Sequence, residues 1–147
     1  MKIYLKSFKE LSTTELYKIL QLRNEVFVVE QNCVYQDADG KDLKALHLFI
    51  KNQENIVAYL RIFKPGDYFK HASIGRVVTH PSYRGKNFGK QIMQKAIDII
   101  TNDLKENIIE ISAQTYLKKF YKDLGFQETG NEYLEDGIPH VRMIYKR

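Results

Sequence analysis

With 147 residues, 44% of them hydrophobic and 28% charged, the chain has the apolar content for one sizeable core and none of the signature of disorder. Its net charge of +5 suits an anionic partner, but the cations gather at Arg84, Lys86, Lys90 and Lys95 rather than along a stripe interleaved with aromatics, which argues against nucleic acid. A single cysteine excludes an internal disulfide, no apolar run nears the ~18–20 residues of a bilayer span, and charges throughout residues 1–10 argue against a secretory signal.

A cytoplasmic protein with a single domain over 1–147 is therefore expected, and Cys33 reads as a small semi-buried residue. Residues 2–8 alternate as an edge-type strand. Ser12-Thr-Thr-Glu15 is a capping box, opening a helix that places Leu16, Ile19, Leu20, Val26 and Phe27 on one face and ends near Glu30. Asn32 to Asp42 is polar, contains Gly40 and reads as a loop. Two strands, 46–51 and 56–63, are joined by a hairpin connection over 52–55, and Pro65-Gly66 ends the second.

The stretch 73–79 is a β-branched strand stopped by Pro81. From Gly85 a long helix is predicted, with Phe88, Ile92, Ala96, Ile97, Ile100 and Leu104 at helical spacing. Residues 108–113 form a strand and 115–124 a short helix closed by Gly125. The tail, 126–146, reads as two strands turned around Asp136-Gly137. The order β-α-β-β-β-α-β-α-β-β predicts an α+β fold, a mixed sheet with helices on its faces.

The strongest functional signal is the run from Val77 to Gly89, where a strand ends at a proline and a basic, glycine-containing turn opens a helix. Exposed backbone N–H groups at such a helix start form an anion site, for which a diphosphate is the predicted guest. Arg84, Lys86 and Lys90 add positive charge.

Arg84-Gly85-Lys86-Asn87-Phe88-Gly89 after Val77-Val78-Thr79 resembles the acetyl-CoA signature of the GCN5-related N-acetyltransferase (GNAT) superfamily, (Gln/Arg)-x-x-Gly-x-(Gly/Ala). Ala113-Gln114 followed by Phe120-Tyr121-x-x-x-Gly125-Phe126 is similar to the family's second cofactor motif. Arg23-x-x-Val26-Phe27-Val28-Val29-Glu30-Gln31 with Tyr133-x-Glu135-Asp136-Gly137-Ile138-Pro139-His140 resembles its small bacterial ElaA-like branch. One position departs: Asn87 stands where the family has a glycine, and asparagine is the side chain that best tolerates a left-handed backbone.

The resemblance implies a six- to seven-stranded, mostly antiparallel mixed sheet, with a splayed pair of central strands forming the acetyl-CoA cleft. It implies an acetyl-CoA-dependent N-acetyltransferase in which a primary amine attacks directly. Main-chain groups of Val77, Val78 and Thr79 would pair with the pantetheine arm as an added strand, and a strand N–H would steady the developing oxyanion. The turn Arg84 to Lys90 would hold the phosphates, Gln114 would touch the arm, and Tyr121 would protonate the departing thiolate.

The attacking amine also needs a proton acceptor, for which Glu30 and His47 lead, with His80 and His140 as further candidates. Glu30, Gln31, His47, Arg76, Tyr133 and His140 are the expected acceptor-binding residues; Arg76 would bind a carboxylate or pair with an acid, and Glu135 and Asp136 would wall the pocket or hold a hairpin. Glu110 is offset from the position at which protein-acetylating members carry a glutamate. No spacing offers a metal site. The expected acceptor is a small-molecule amine such as an amino acid; the alternatives are a protein N-terminal or lysine acetyltransferase and a non-catalytic CoA-binding module, and homodimerisation is left open.

Overall fold

Alternating, β-branched segments assemble into one eight-stranded sheet in the computed structural model, which describes residues 1–147. The strands are β1 (Lys2–Ser7), β2 (Leu46–Asn52), β3 (Asn55–Phe63), β4 (Ala72–Thr79), β5 (Ile108–Gln114), β6 (Gln127–Glu128), β7 (Tyr133–Glu135) and β8 (Ile138–Lys146). They lie in the order β1-β2-β3-β4-β5-β8-β6, with β7 also on β8, and only the β4–β5 pairing is parallel. The sheet is the mixed, mostly antiparallel one expected. Its extra strand is β6, whose two exposed residues are too few to show alternation.

Three α-helices cover it: α1 (Thr13–Arg23), α2 (Phe88–Asp98) and α3 (Lys118–Asp123). The capping box starts α1 as predicted, the Ser12 hydroxyl accepting from Glu15 N–H at 3.0 Å and Glu15 accepting from Ser12 N–H at 2.9 Å. Past Arg23 the helix widens, Gln31 N–H donating to Val26 carbonyl and Cys33 N–H to Val28 carbonyl. This widened end carries Glu30 and Gln31 to the cleft described below. None of the helices is long and apolar enough to cross a membrane.

One face of the sheet packs Leu48, Leu60 and Ile111 against Ile92, Ala96 and Ile97 of α2, with Tyr121 and Phe126 at its edge. The other packs Phe49, Tyr59 and Val78 against Ile19, Leu22 and Val26 of α1. Beside this second cluster Arg23 and Arg61 are fully buried, and three arginines meet three aspartates of the 32–42 loop. Arg23 donates to Asp37 and Asp42, both at 2.8 Å; Arg61 donates to Asp42 at 2.8 Å and Asp39 at 2.6 Å; Arg76 donates to Asp37 at 2.8 Å. The charges balance, and the network fastens a segment with no regular structure to α1, β3 and β4. Removing one member strands its partners in the interior. Arg23→Leu is expected to lower unfolding stability by about 3 kcal/mol in urea denaturation, and Arg23→Lys, which keeps the charge but loses the fork, by less.

A register shift between Tyr59 and Arg61 leaves Arg76 and Val77 of β4 bulged opposite Leu60. Arg76 is left-handed there, at φ +52°. Such a conformation is unfavourable outside glycine, and its bonds to Asp37 and its position 5.5 Å over the Tyr35 ring offset the cost.

Candidate active site

Strands β4 and β5 are registered only at Ala72–Ile109 and Ser73–Glu110. Past the Ser73–Glu110 pair, Ile74 to Thr79 and Ile111 to Gln114 part, each leaving one main-chain edge without a strand partner. The gap opens into a cleft of about 710 Å³ walled by Val77, Val78, Thr79, Gln114 and Tyr121 among others. A second cavity of about 310 Å³, lined by Asn87, Phe88 and Lys90, shares Thr79, Arg84, Gly85, Gly89 and Phe120 with the first. The two form one groove. Of the predicted cofactor residues only Lys86 lines neither part; its ammonium lies 5.8 Å over the Tyr83 ring.

The helix begins three residues later than the predicted start at Gly85. Gly85 and Asn87 are left-handed, at φ +79° and +66°, so 85–87 form a loop and α2 begins at Phe88. The first backbone bond into the helix is Gln91 N–H to Asn87 carbonyl, leaving the N–H groups of Phe88, Gly89 and Lys90 without helical partners. No acid occupies that first turn, and the helix dipole adds positive potential. A Cβ on Gly89 would stand 3.5 Å from Thr79 Oγ1 and 3.6 Å from Phe120, ordinary contact distances that place the helix start against β4 and α3 with room for no more than a methyl group. Unpartnered donors at one end and free strand edges at the other suit the diphosphate and the amide-bearing arm of coenzyme A.

Tyr121 reaches the cleft from α3. Its ring is held edge-on by Phe120 and Phe126, and it is only 6% exposed. Burial pushes its hydroxyl well above the usual tyrosine range, so it stays protonated. That hydroxyl has no protein hydrogen bond and is not among the sealed, unpartnered polar atoms, so it faces the cleft.

Two sequence expectations are corrected here. Glu30 and Arg84 both line the cleft but are spent on each other, in a bidentate pair at 2.5 and 2.7 Å. The Arg84 hydrogen bonds hold the Glu30 carboxyl below the usual range, which leaves it a poor proton acceptor, while the exposure of the pair keeps Arg84 within reach of a phosphate in the groove. His47 does not line the cleft at all. It is fully buried between Tyr59 hydroxyl, 2.8 Å from Nδ1, and Asp42 carbonyl, 3.0 Å from Nε2. The 32–42 loop covers it, Asp42 supplying the carbonyl.

Burial also lowers the His47 pKa below the usual 6.5. The unfolded chain then binds the proton more readily, so stability is complete above pH 6.5 and falls as pH drops through that value. Thermal melts are expected to show this loss between pH 7 and 5, at up to about 1.4 kcal/mol per pH unit. In His47→Gln that limb should flatten, while the carboxylate-driven loss at lower pH remains.

The other candidates separate. His80 caps its own turn, Nδ1 accepting from Ser82 N–H at 3.1 Å. Arg76 lines the cleft with its guanidinium committed to Asp37, resolving the choice between a ligand carboxylate and an internal acid in favour of the acid. Gln31 lines the cleft and donates to Gln114 at 2.9 Å. His140 lines it too, and Tyr133 stands behind, stacked on the His140 ring at 6.1 Å. Glu110 sits at the far end of β5 with His71 and Arg142. Ser112 was not foreseen; it lines the cleft, bonds the Tyr133 hydroxyl and donates to Glu135 at 3.2 Å. Strand alternation two residues before Gln114 was the available signal.

Comparison with known proteins agrees with this geometry. Residues 11–147 match the acetyltransferase (GNAT) domain family. The chain is 43% identical over 136 residues to Protein ElaA of Escherichia coli K12, covering 91% of this chain and 89% of that one. The crystal structure of Escherichia coli ElaA superposes with a TM-score of 0.90 at 38% identity, over 99% of this chain and all of the other. An acyl-CoA N-acyltransferase from Pseudomonas aeruginosa superposes with a TM-score of 0.91, also at 38% identity, over 99% of both chains. The chain belongs to the GNAT family and is an acetyltransferase whose acyl donor is acetyl-CoA.

Proposed function

We propose that this protein, acting as a single domain over 1–147, moves the acetyl group of acetyl-CoA to the primary amine of a small molecule by direct attack. The observation that carries the reading is the unbroken groove from the donors at Phe88–Lys90, past the free edge of β4, to the Tyr121 hydroxyl. In this reading the α2 start binds phosphate, Val77 to Thr79 pair with the pantetheine arm, and a β4 N–H takes up charge developing on the acyl oxygen. Tyr121, kept protonated by burial, gives its proton to the sulfur as the C–S bond breaks.

A small acceptor is favoured by the walls that the widened end of α1 and the β7–β8 hairpin both raise at the acetyl end of the cleft. The test is thiol release from acetyl-CoA across a panel of free amines beside lysine-bearing and free-N-terminus peptides. Faster turnover with free amines is expected. Preference for the peptides would move the assignment to protein acetylation, and coenzyme binding without thiol release from any acceptor would leave a CoA-binding module.

A further inference from the structure

At the acceptor end of the cleft the chain brings together His140, Glu135, Ser112 and Tyr133. His140 is about nine-tenths buried or more, at 5% exposed, yet lines the cleft. Its Nδ1–H donates to its own hairpin's Ile138 carbonyl at 2.7 Å. That bond fixes the tautomer, so Nε2 carries the lone pair when the ring is neutral. The charged neighbour of Nε2 is Glu135 Oε2 at 3.4 Å, beyond a good hydrogen bond. Glu135 is held from the other side by the Ser112 hydroxyl, and the Tyr133 ring braces the imidazole by stacking. The arrangement is a ring nitrogen with a free lone pair, oriented from behind by a main-chain carbonyl and with a carboxylate beside the reacting nitrogen.

The charges around it are lopsided. Arg76 and Arg84 are the only arginine or lysine side chains lining the cleft, and both are committed to carboxylates of this chain. Of the cleft's two glutamates, Glu30 is neutralised by Arg84, whereas Glu135 has no basic partner except His140 and is 44% exposed. The acceptor end therefore attracts a cation and offers no counter-ion to an anion.

We propose that this cluster is the acceptor subsite for an alkylamine or alkyl diamine without a carboxylate, and that His140 Nε2 takes the ammonium proton; the inference rests on the acetyl-transfer reading above. One proton passes from R–NH3⁺ to Nε2 and on to solvent. The freed nitrogen pair forms the C–N bond to the acetyl carbon as the C–S bond breaks, Tyr121 protonates the sulfur, and the second nitrogen proton restores Tyr121. Glu135 stabilises the imidazolium and receives the incoming cation.

The test compares wild type, His140→Gln and Glu135→Gln in thiol release with putrescine, with ornithine (putrescine plus a carboxylate), and with hydroxylamine, which is uncharged at neutral pH and needs no deprotonation. Wild type is expected to use putrescine about tenfold better than ornithine. His140→Gln should lose about a hundredfold in kcat with putrescine while keeping hydroxylamine turnover within a few-fold. Glu135→Gln should chiefly raise KM for putrescine. Equal losses with putrescine and hydroxylamine would make His140 structural, and no loss, or a preference for ornithine, would overturn the subsite. Failure of the wild type to release thiol with any of the three, while still binding acetyl-CoA, would overturn the transfer reading itself and the subsite with it.

Discussion

Gly85→Glu is expected to remove coenzyme A binding while the fold survives. The position is left-handed at φ +79°, and nothing lies within 4 Å of where a Cβ would stand, so a side chain is accommodated sterically at a backbone cost of roughly 1–2 kcal/mol. That cost is small beside the electrostatic one. The new carboxylate would enter a groove built on unpartnered N–H groups and a helix dipole, the place proposed for a diphosphate. Gly85→Ala separates the two contributions, because it carries the backbone strain without the charge and should keep most of the affinity. Calorimetric titration with CoA, beside a circular dichroism melt, reads both variants. Normal binding by Gly85→Glu would show that the phosphates lie elsewhere.

Tyr121→Phe should lower kcat by about a hundredfold with almost no change in CoA affinity. The substitution removes one oxygen and leaves the ring packed between Phe120 and Phe126, so the wall of the cleft stays in place. No protein group depends on that hydroxyl for a hydrogen bond, which makes a folding penalty small. A loss confined to kcat identifies an interaction made as the thiolate departs; a matching rise in KM would instead mean that the hydroxyl binds substrate. Unchanged turnover would leave solvent as the proton source and Tyr121 as a core aromatic.

Much of the fold was legible because local signals and tertiary context agree. The capping box at Ser12 and Glu15, the β-branched run ending at Pro81 and the left-handed Asn87 each act within a few residues. What escaped was set by long-range pairing. Asp37, Asp39 and Asp42 look like the polar content of any loop, and only the fold brings Arg23, Arg61 and Arg76 to them. One clue was present: Arg23 falls four residues after Ile19 and three before Val26, in phase with the buried stripe of α1, where a charge needs a partner. The same limit explains the two misplaced bases. Whether Glu30 is free depends on Arg84, 54 residues away, and whether His47 sees solvent depends on a loop with no regular structure. His140 and Tyr133 were legible as neighbours of a hairpin, but Ser112 became visible only once β5 and β8 were registered.

The parallel seam between β4 and β5 is stitched by two residue pairs at one end and unstitched at the other. Six further strands hang on that seam, β1, β2 and β3 beyond β4 and β6, β7 and β8 beyond β5, so within the sheet the two halves are joined at one end only, while α2 packs across both. On the proposed binding mode the arm of acetyl-CoA completes the seam with main-chain bonds to β4, and the donor molecule becomes a temporary piece of the architecture. Each turnover, by letting CoA go, then reopens the seam as well as emptying the site.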